Sequence, residues 1–141
     1  MPLTIAEINQ LFRTTKNFDR VLQKVNVISL GNGSCRAEVK VAEEHSNIMG
    51  GLHGGFSATL VDVISTYALV SHKKGRVPHV SVHINTEYIK GAKIGDQIEI
   101  IADTVRVGKT LAFLEVFIKN KHTGDLLVKG SHTKFLMNVK E

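Results

Sequence analysis

Cysteine is nearly missing from this chain: Cys35 is the only one in 141 residues. No internal disulfide can form, and a reducing compartment fits. Cys35 follows a turn on an alternating stretch, the setting of a buried structural thiol rather than a reactive one. No apolar run approaches the ~20 residues of a membrane span. The N-terminus lacks a signal peptide's apolar core and cleavage site, carries Glu7 and is not arginine-rich, so neither export nor a transit peptide is expected. Metal-ligand spacing is missing as well. The seven histidines follow no zinc pattern, and His79 and His83 would lie ~13 Å apart on one strand face. Gly108-Lys109-Thr110 imitates the end of a phosphate loop. The upstream glycine of that loop would fall on Asp103, so a hairpin turn is the better reading. Gly50 to Gly55 lacks the spacing of a dinucleotide fingerprint, and no βαβ pattern surrounds it. No repeat, low-complexity tract or linker interrupts the chain.

What is present describes a single domain over residues 1–141, with a helical segment at 1–24. A chain of this size buries roughly 68–70% of its unfolded surface, enough for a real core. The net charge of +5 favours anionic partners. The charges are scattered, however, and no aromatic residues interleave with Lys73-Lys74 and Arg76. A nucleic-acid surface is therefore not expected.

Thr4 and Glu7 have the spacing of a capping box ahead of the helical stripe Ile5, Ile8, Leu11 and Phe12. A second helical piece is expected near Asn17 to Leu22. Gly31-Asn32-Gly33 is a turn signal between two strands, the second alternating Cys35, Ala37, Val39 and Val41 with Arg36, Glu38 and Lys40. Phe56 to Ser71 is apolar around most of its circumference, which predicts a centrally buried helix ending near Lys73-Lys74-Gly75. Everything after it reads as strand. The order helix, two strands, long helix, four strands predicts an α+β fold with an antiparallel sheet of about six strands around one helix. An open edge strand would invite pairing with a second copy.

The chemistry concentrates between Asn47 and Asp62. His53-Gly54-Gly55 stands where the apolar helix begins, and Asp62 lies about two turns inside it. A carboxylate on an apolar helix is costly to bury without a partner or purpose. A helix start exposes backbone N–H groups. With a carboxylate in reach, it suggests an oxyanion site beside an acid, base or nucleophile.

These residues resemble a known family. Asn47 with Leu52-His53-Gly54-Gly55, Thr59-Leu60-Val61-Asp62 and Val80-Ser81-Val82 resembles the hotdog-fold acyl-coenzyme A thioesterases. Asn17-Phe18-Asp19-Arg20-Val21-Leu22, Gly108-Lys109-Thr110-Leu111-Ala112-Phe113 and His132-Thr133-Lys134 extend the likeness over nearly the whole chain. The resemblance implies hydrolysis of medium- to long-chain fatty acyl-coenzyme A, in the cytoplasm or associated with mitochondria. It implies homodimers that assemble to tetramers, with active sites between subunits. No separate cofactor is implied, since coenzyme A is part of the substrate.

By the same resemblance, the Gly54 N–H polarises the thioester carbonyl and Asn47 positions the carbonyl or the water. Asp62 is general base or nucleophile from the partner subunit, Ser81 holds the water or Asp62, and His53 shapes the hole. Coenzyme A would lie along Tyr88, Ile89, Lys90, Gly91, Ala92 and Lys93, and along Arg106, Val107, Gly108, Lys109, Thr110 and Leu111, with Phe135 nearby. Two places depart from the family pattern. Lys90-Gly91 stands where a small polar residue and proline are expected, and Phe135 where a relative has histidine. Two other readings stay open: an acyl-thioester dehydratase using His53, and an acyl-coenzyme A binding protein without turnover. One expectation conflicts with the rest. Strict alternation turns Ser81 away from Asp62 of its own chain if Val80 and Val82 pack on the helix.

Overall fold

The computed structural model describes residues 3–137. Helix α1 (Ile5–Thr14) opens as expected, with the Thr4 hydroxyl accepting the Glu7 N–H at 3.1 Å and the Glu7 carboxylate accepting the Thr4 N–H at 3.1 Å. Its inner face buries Ile8 and Phe12. It also buries Asn9, whose side chain bonds both the N–H and the carbonyl of Val27 at 2.8 and 3.1 Å. Asn9 thereby pins α1 to the first strand. A 3₁₀ turn, Phe18–Leu22, follows.

Strands β1 (Asn26–Gly31) and β2 (Ser34–Lys40) form the expected hairpin. Asn32 and Gly33 at its tip have φ of 53° and 86°, the left-handed region that these residue types tolerate. Cys35 is fully buried, and burial pushes its thiol up to about 12, so it is inert at neutral pH. Helix α2 (Gly54–Ser71) comes next. Strands β3 (His79–Tyr88), β4 (Gln97–Val107), β5 (Leu111–Asn120) and β6 (Leu126–Leu136) complete a six-stranded sheet in the order β1-β2-β4-β5-β6-β3, antiparallel at every pairing.

Helix α2 packs against all six strands, so the sheet wraps it in the hotdog arrangement. Leu60, Val61, Ile64, Ala68 and Leu69 are completely buried along it. Burying each of the larger ones contributes roughly 1.5–3 kcal/mol. By length and composition alone α2 could cross a membrane; here it is the core helix. It begins two residues before Phe56, so the glycine pair forms its first turn. It stops at Ser71, with His72 as C-cap, just short of the lysine pair.

Strand β3 lies at the open edge and is solvent-exposed along almost its whole length. Val80 and Val82 are 52% and 59% exposed, so they do not pack on α2 as alternation suggested. Alternation holds across Val80–Val82 with the valines outward, and a bulge follows. Ser81 pairs with Lys134 and His83 with Thr133, leaving Val82 without an opposite residue. Ser81, opposite buried Lys134, turns its hydroxyl inward, and the extra residue resets the two-residue period so that Ile84 comes opposite buried His132.

Candidate active site

His53 is the N-cap of α2. Its Nδ1 accepts the Gly55 N–H at 2.8 Å, which leaves the proton of the neutral ring on Nε2. The Phe56 and Ser57 N–H groups both bond the His53 carbonyl. The Gly54 N–H has no partner among the described residues, as the first turn of a helix leaves it. A free donor at the positive end of the helix dipole can stabilise an oxyanion. The Tyr88 hydroxyl donates to the Gly54 carbonyl at 2.7 Å. A Cβ at position 54 would lie 3.2 Å from the Tyr88 ring, so glycine permits that close approach.

Asn47 stands on the adjoining loop. Its Oδ1 accepts the N–H groups of Met49 and Gly51 at 2.9 and 3.0 Å, which fixes the turn. The amide Nδ2 keeps both hydrogens unspent among the described residues. The Tyr88–Lys93 segment locks onto the same loop, because the Leu52 N–H bonds the Ala92 carbonyl at 2.8 Å and Gly51 bridges to Lys93. Together they enclose a cleft of about 340 Å³ lined by Leu52, Gly54, Tyr88, Ile89, Ala92 and Val128 among others.

Asp62 lies midway along α2, facing β6. Burial raises its carboxyl above the usual range; Lys134 opposes that shift, and Asp19 adds to it. Its Oδ1 is 4.0 Å from Nε2 of His132. That contact is not an ion pair: burial, then Lys134 and His79, hold the His132 imidazole down to about 4, so the ring is neutral at physiological pH. His132 instead joins two hydroxyls. Its Nδ1 is 2.8 Å from Ser65 Oγ and its Nε2 is 2.7 Å from Ser81 Oγ. The single Ser65 hydroxyl hydrogen is assigned to the Val61 carbonyl, at 2.6 Å the nearest of its acceptors. Nδ1 must therefore donate to Ser65, and Nε2 accepts from Ser81. The Ser81 oxygen keeps its lone pairs for another donor, such as a water.

The structure thus brings Asn47, His53, Gly54 and Tyr88–Lys93 together at the N-terminal end of α2, and Asp62 with Ser81 near its middle. It does not bring the two groups together within one chain. Gly54 and Asp62 are eight residues apart, so ~12 Å along the helix axis. The second segment expected to hold coenzyme A, Arg106 to Leu111, is at the β4–β5 turn. Leu111 pairs with Phe135 and Phe135 with Val80, whereas Tyr88 pairs with Val128. Val80 and Tyr88 mark opposite ends of β3, about 25 Å apart. Of the cations expected at the rim, Lys90 is paired with Asp125 at 2.7 Å, while Lys93, Arg106 and Lys109 are exposed and have no ion pair among the described residues.

Sequence reasoning did not single out Ser65, His132 or Lys134 as site residues. His132-Thr133-Lys134 was visible as a motif, and its alternation on a strand was the available signal: residues 132 and 134 share the face towards α2.

Comparison with known proteins agrees with this geometry. The thioesterase superfamily model matches residues 49–126, which is more than half of the chain. Acyl-coenzyme A thioesterase 13 of Homo sapiens is 46% identical over 138 residues, covering 98% of each chain. The crystal structure of zebra fish thioesterase superfamily member 2 superposes with a TM-score of 0.90 at 46% identity, covering 96% of this chain and 99% of that one. The Mus musculus counterpart gives a TM-score of 0.86 at 44% identity, with 97% and 100% covered. Wrapped helix, unpartnered Gly54 donor and family match agree, and the chain belongs to the thioesterase superfamily of thioester hydrolases.

Proposed function

We propose that this protein hydrolyses fatty acyl-coenzyme A to a free fatty acid and coenzyme A, at a site built by two copies of the chain. The observation that carries the reading is the separation of its parts. Reacting atoms must approach to about 3–3.5 Å. A donor at Gly54 and a base at Asp62, ~12 Å apart along one helix, cannot serve the same carbonyl. Pairing the exposed β3 edges antiparallel about a two-fold axis supplies what is missing. The Tyr88 end of one β3 then meets the Val80 end of the other, which brings Gly54 of one copy towards Asp62 and Ser81 of its partner. The same pairing brings Tyr88–Lys93 of one copy towards Arg106–Leu111 and Phe135 of the other.

In the reaction, the Gly54 N–H and the Asn47 amide bind the thioester oxygen. Asp62 takes a proton from water held by Ser81, and the water oxygen bonds to the acyl carbon. Negative charge that develops on the carbonyl oxygen is stabilised at the helix N-terminus. The tetrahedral species collapses, the C–S bond breaks, and the thiolate of coenzyme A leaves and is protonated. Burial raises the basicity of Asp62, as a carboxylate base needs. His53 shapes the donor end, and Lys93, Arg106 and Lys109 meet the phosphates of the coenzyme.

Medium- to long-chain acyl groups are the proposed class, supported by the apolar Leu52, Ile89 and Val128 wall beside Gly54. No cofactor beyond the substrate's own coenzyme A is required by this chemistry. A tetramer formed as a dimer of dimers, a role in fatty acid metabolism and a cytoplasmic location, with or without association with mitochondria, complete the proposal.

The test is a thiol-release assay across acyl-coenzyme A chain lengths. Hydrolysis should rise towards medium and long chains, and Asp62→Asn should lower kcat by about 10²–10⁴-fold. Undiminished turnover in that variant, or binding with no released thiol, would overturn the proposal.

A further inference from the structure

Lys134 is a buried cation that the mechanism above leaves unused. Only 5% of the residue is exposed, on a strand face that otherwise packs apolar side chains and His132 against α2. A buried ammonium is expensive unless it is paired. Its Nζ donates to Thr66 Oγ1 at 2.9 Å, and the Thr66 hydroxyl spends its own hydrogen on the Asp62 carbonyl at 2.8 Å. Thr66 follows Asp62 by four residues, so their side chains share one face of α2 one turn apart. In the sheet, Lys134 sits opposite Ser81, the residue proposed to hold the water. The lysine therefore docks one helical turn from Asp62, through Thr66, and across the sheet from Ser81, without a direct ion pair to the carboxylate.

We propose that Lys134 is a positioning residue for the hydrolysis: docked on Thr66, it keeps the neighbouring Asp62 carboxylate charged and ready to accept a proton. This rests on the reading of Asp62 as base.

The surrounding charges support it. From β6, Asp62 faces Lys134 and His132; from the 3₁₀ turn it faces Asp19, which works in the opposite sense. His79, at the start of β3, adds to the lowering of His132 and is itself lowered by burial and by Lys134. His132 is neutral, so Lys134 is the group that brings positive charge to Asp62 among the described residues. The effect is reciprocal. Burial lowers the lysine, and Asp62 holds it up. Removing the lysine leaves burial and Asp19 acting together. The Asp62 carboxyl would then stay protonated to higher pH, and the base would be lost from the acidic side.

The test is the titration of Asp62 in the full-length protein carrying ¹³C-labelled aspartate, followed by NMR. It is run on wild type, Lys134→Met and Lys134→Arg, with the pH dependence of kcat/KM alongside. The Asp62 midpoint should move to higher pH in Lys134→Met and remain near wild type in Lys134→Arg. The acidic limb of kcat/KM should move the same way, with a several-fold loss at acidic pH that recovers as pH rises. An unmoved midpoint in a folded Lys134→Met protein would overturn the proposal. Should that variant not fold, Asp62→Asn answers the question from the other side: the Lys134 amine must titrate at lower pH than in wild type, and an unchanged amine overturns the idea. Wild type that hydrolyses no acyl-coenzyme A would sink the proposed function, while the titrations would still decide the Lys134–Asp62 link.

Discussion

His132 shows how a single residue can set both the site and the pH range of the fold. Its ring is 1% exposed and held neutral between two serine hydroxyls. A histidine at about 4 in the folded chain and near 6.5 when unfolded takes up its proton more readily when unfolded. Stability linked to this group is therefore intact above about pH 6.5 and is lost as pH falls towards 4. The difference between the two values corresponds to about 3 kcal/mol. Replacing His132 with Gln should flatten the pH dependence between those limits, as measured by urea unfolding of both proteins. The variant should also loosen Ser81 and slow hydrolysis. An unchanged slope would mean that the ring already takes up its proton within the fold. From sequence, His132 was visible only as part of a motif. Its tautomer depends on where one serine hydrogen points, and that serine lies 67 residues away.

At the scale of elements, the site depends on how closely α2 approaches β6. Gly130 on β6 faces Val61 on α2, and a Cβ at position 130 would lie 2.8 Å from both Val61 methyl groups. Val61 is fully buried and stiff at χ1, so it cannot swing aside. Gly130→Ala should cost about 1–3 kcal/mol through overpacking, seen as a lower unfolding midpoint. Val61→Ala should relieve part of that cost in the double variant, and strictly additive losses would contradict the contact. The close approach also keeps Ser65 within reach of His132, since both residues lie within four positions of the Gly130–Val61 contact. Helix and strands were legible from their periods. The bulge at Val82 was not, because it is a mismatch in register between β3 and β6 rather than a local preference of either.

For the whole molecule, β3 is the element to attack. A strand with unpaired backbone groups and exposed Val80, Val82 and Ile84 is prepared to extend another sheet. Val82→Lys should block that pairing by placing like charges across the two-fold axis. Sedimentation should then show monomers, and thiol release should collapse although no proposed catalytic residue has changed. A monomer with full activity would place the whole site within one chain and contradict the shared-site reading.

The sequence by itself determined the fold class and the central position of the helix, and it singled out Asn47 to Asp62 as the candidate stretch. Apolar periodicity and turn residues are local, so they survive in a string of letters. Cys35 as an inert core thiol was legible for the same reason. The tertiary structure decided which residues share a site. It turned Ser81 inward opposite Lys134, placed His132 and Lys134 near Asp62, and paired Lys90 with Asp125. It also set the two segments proposed to hold coenzyme A at opposite ends of one sheet. Each of these depends on register between strands or on helix-to-sheet distance. Those quantities are fixed by packing across long separations in the chain, and no window of sequence contains them.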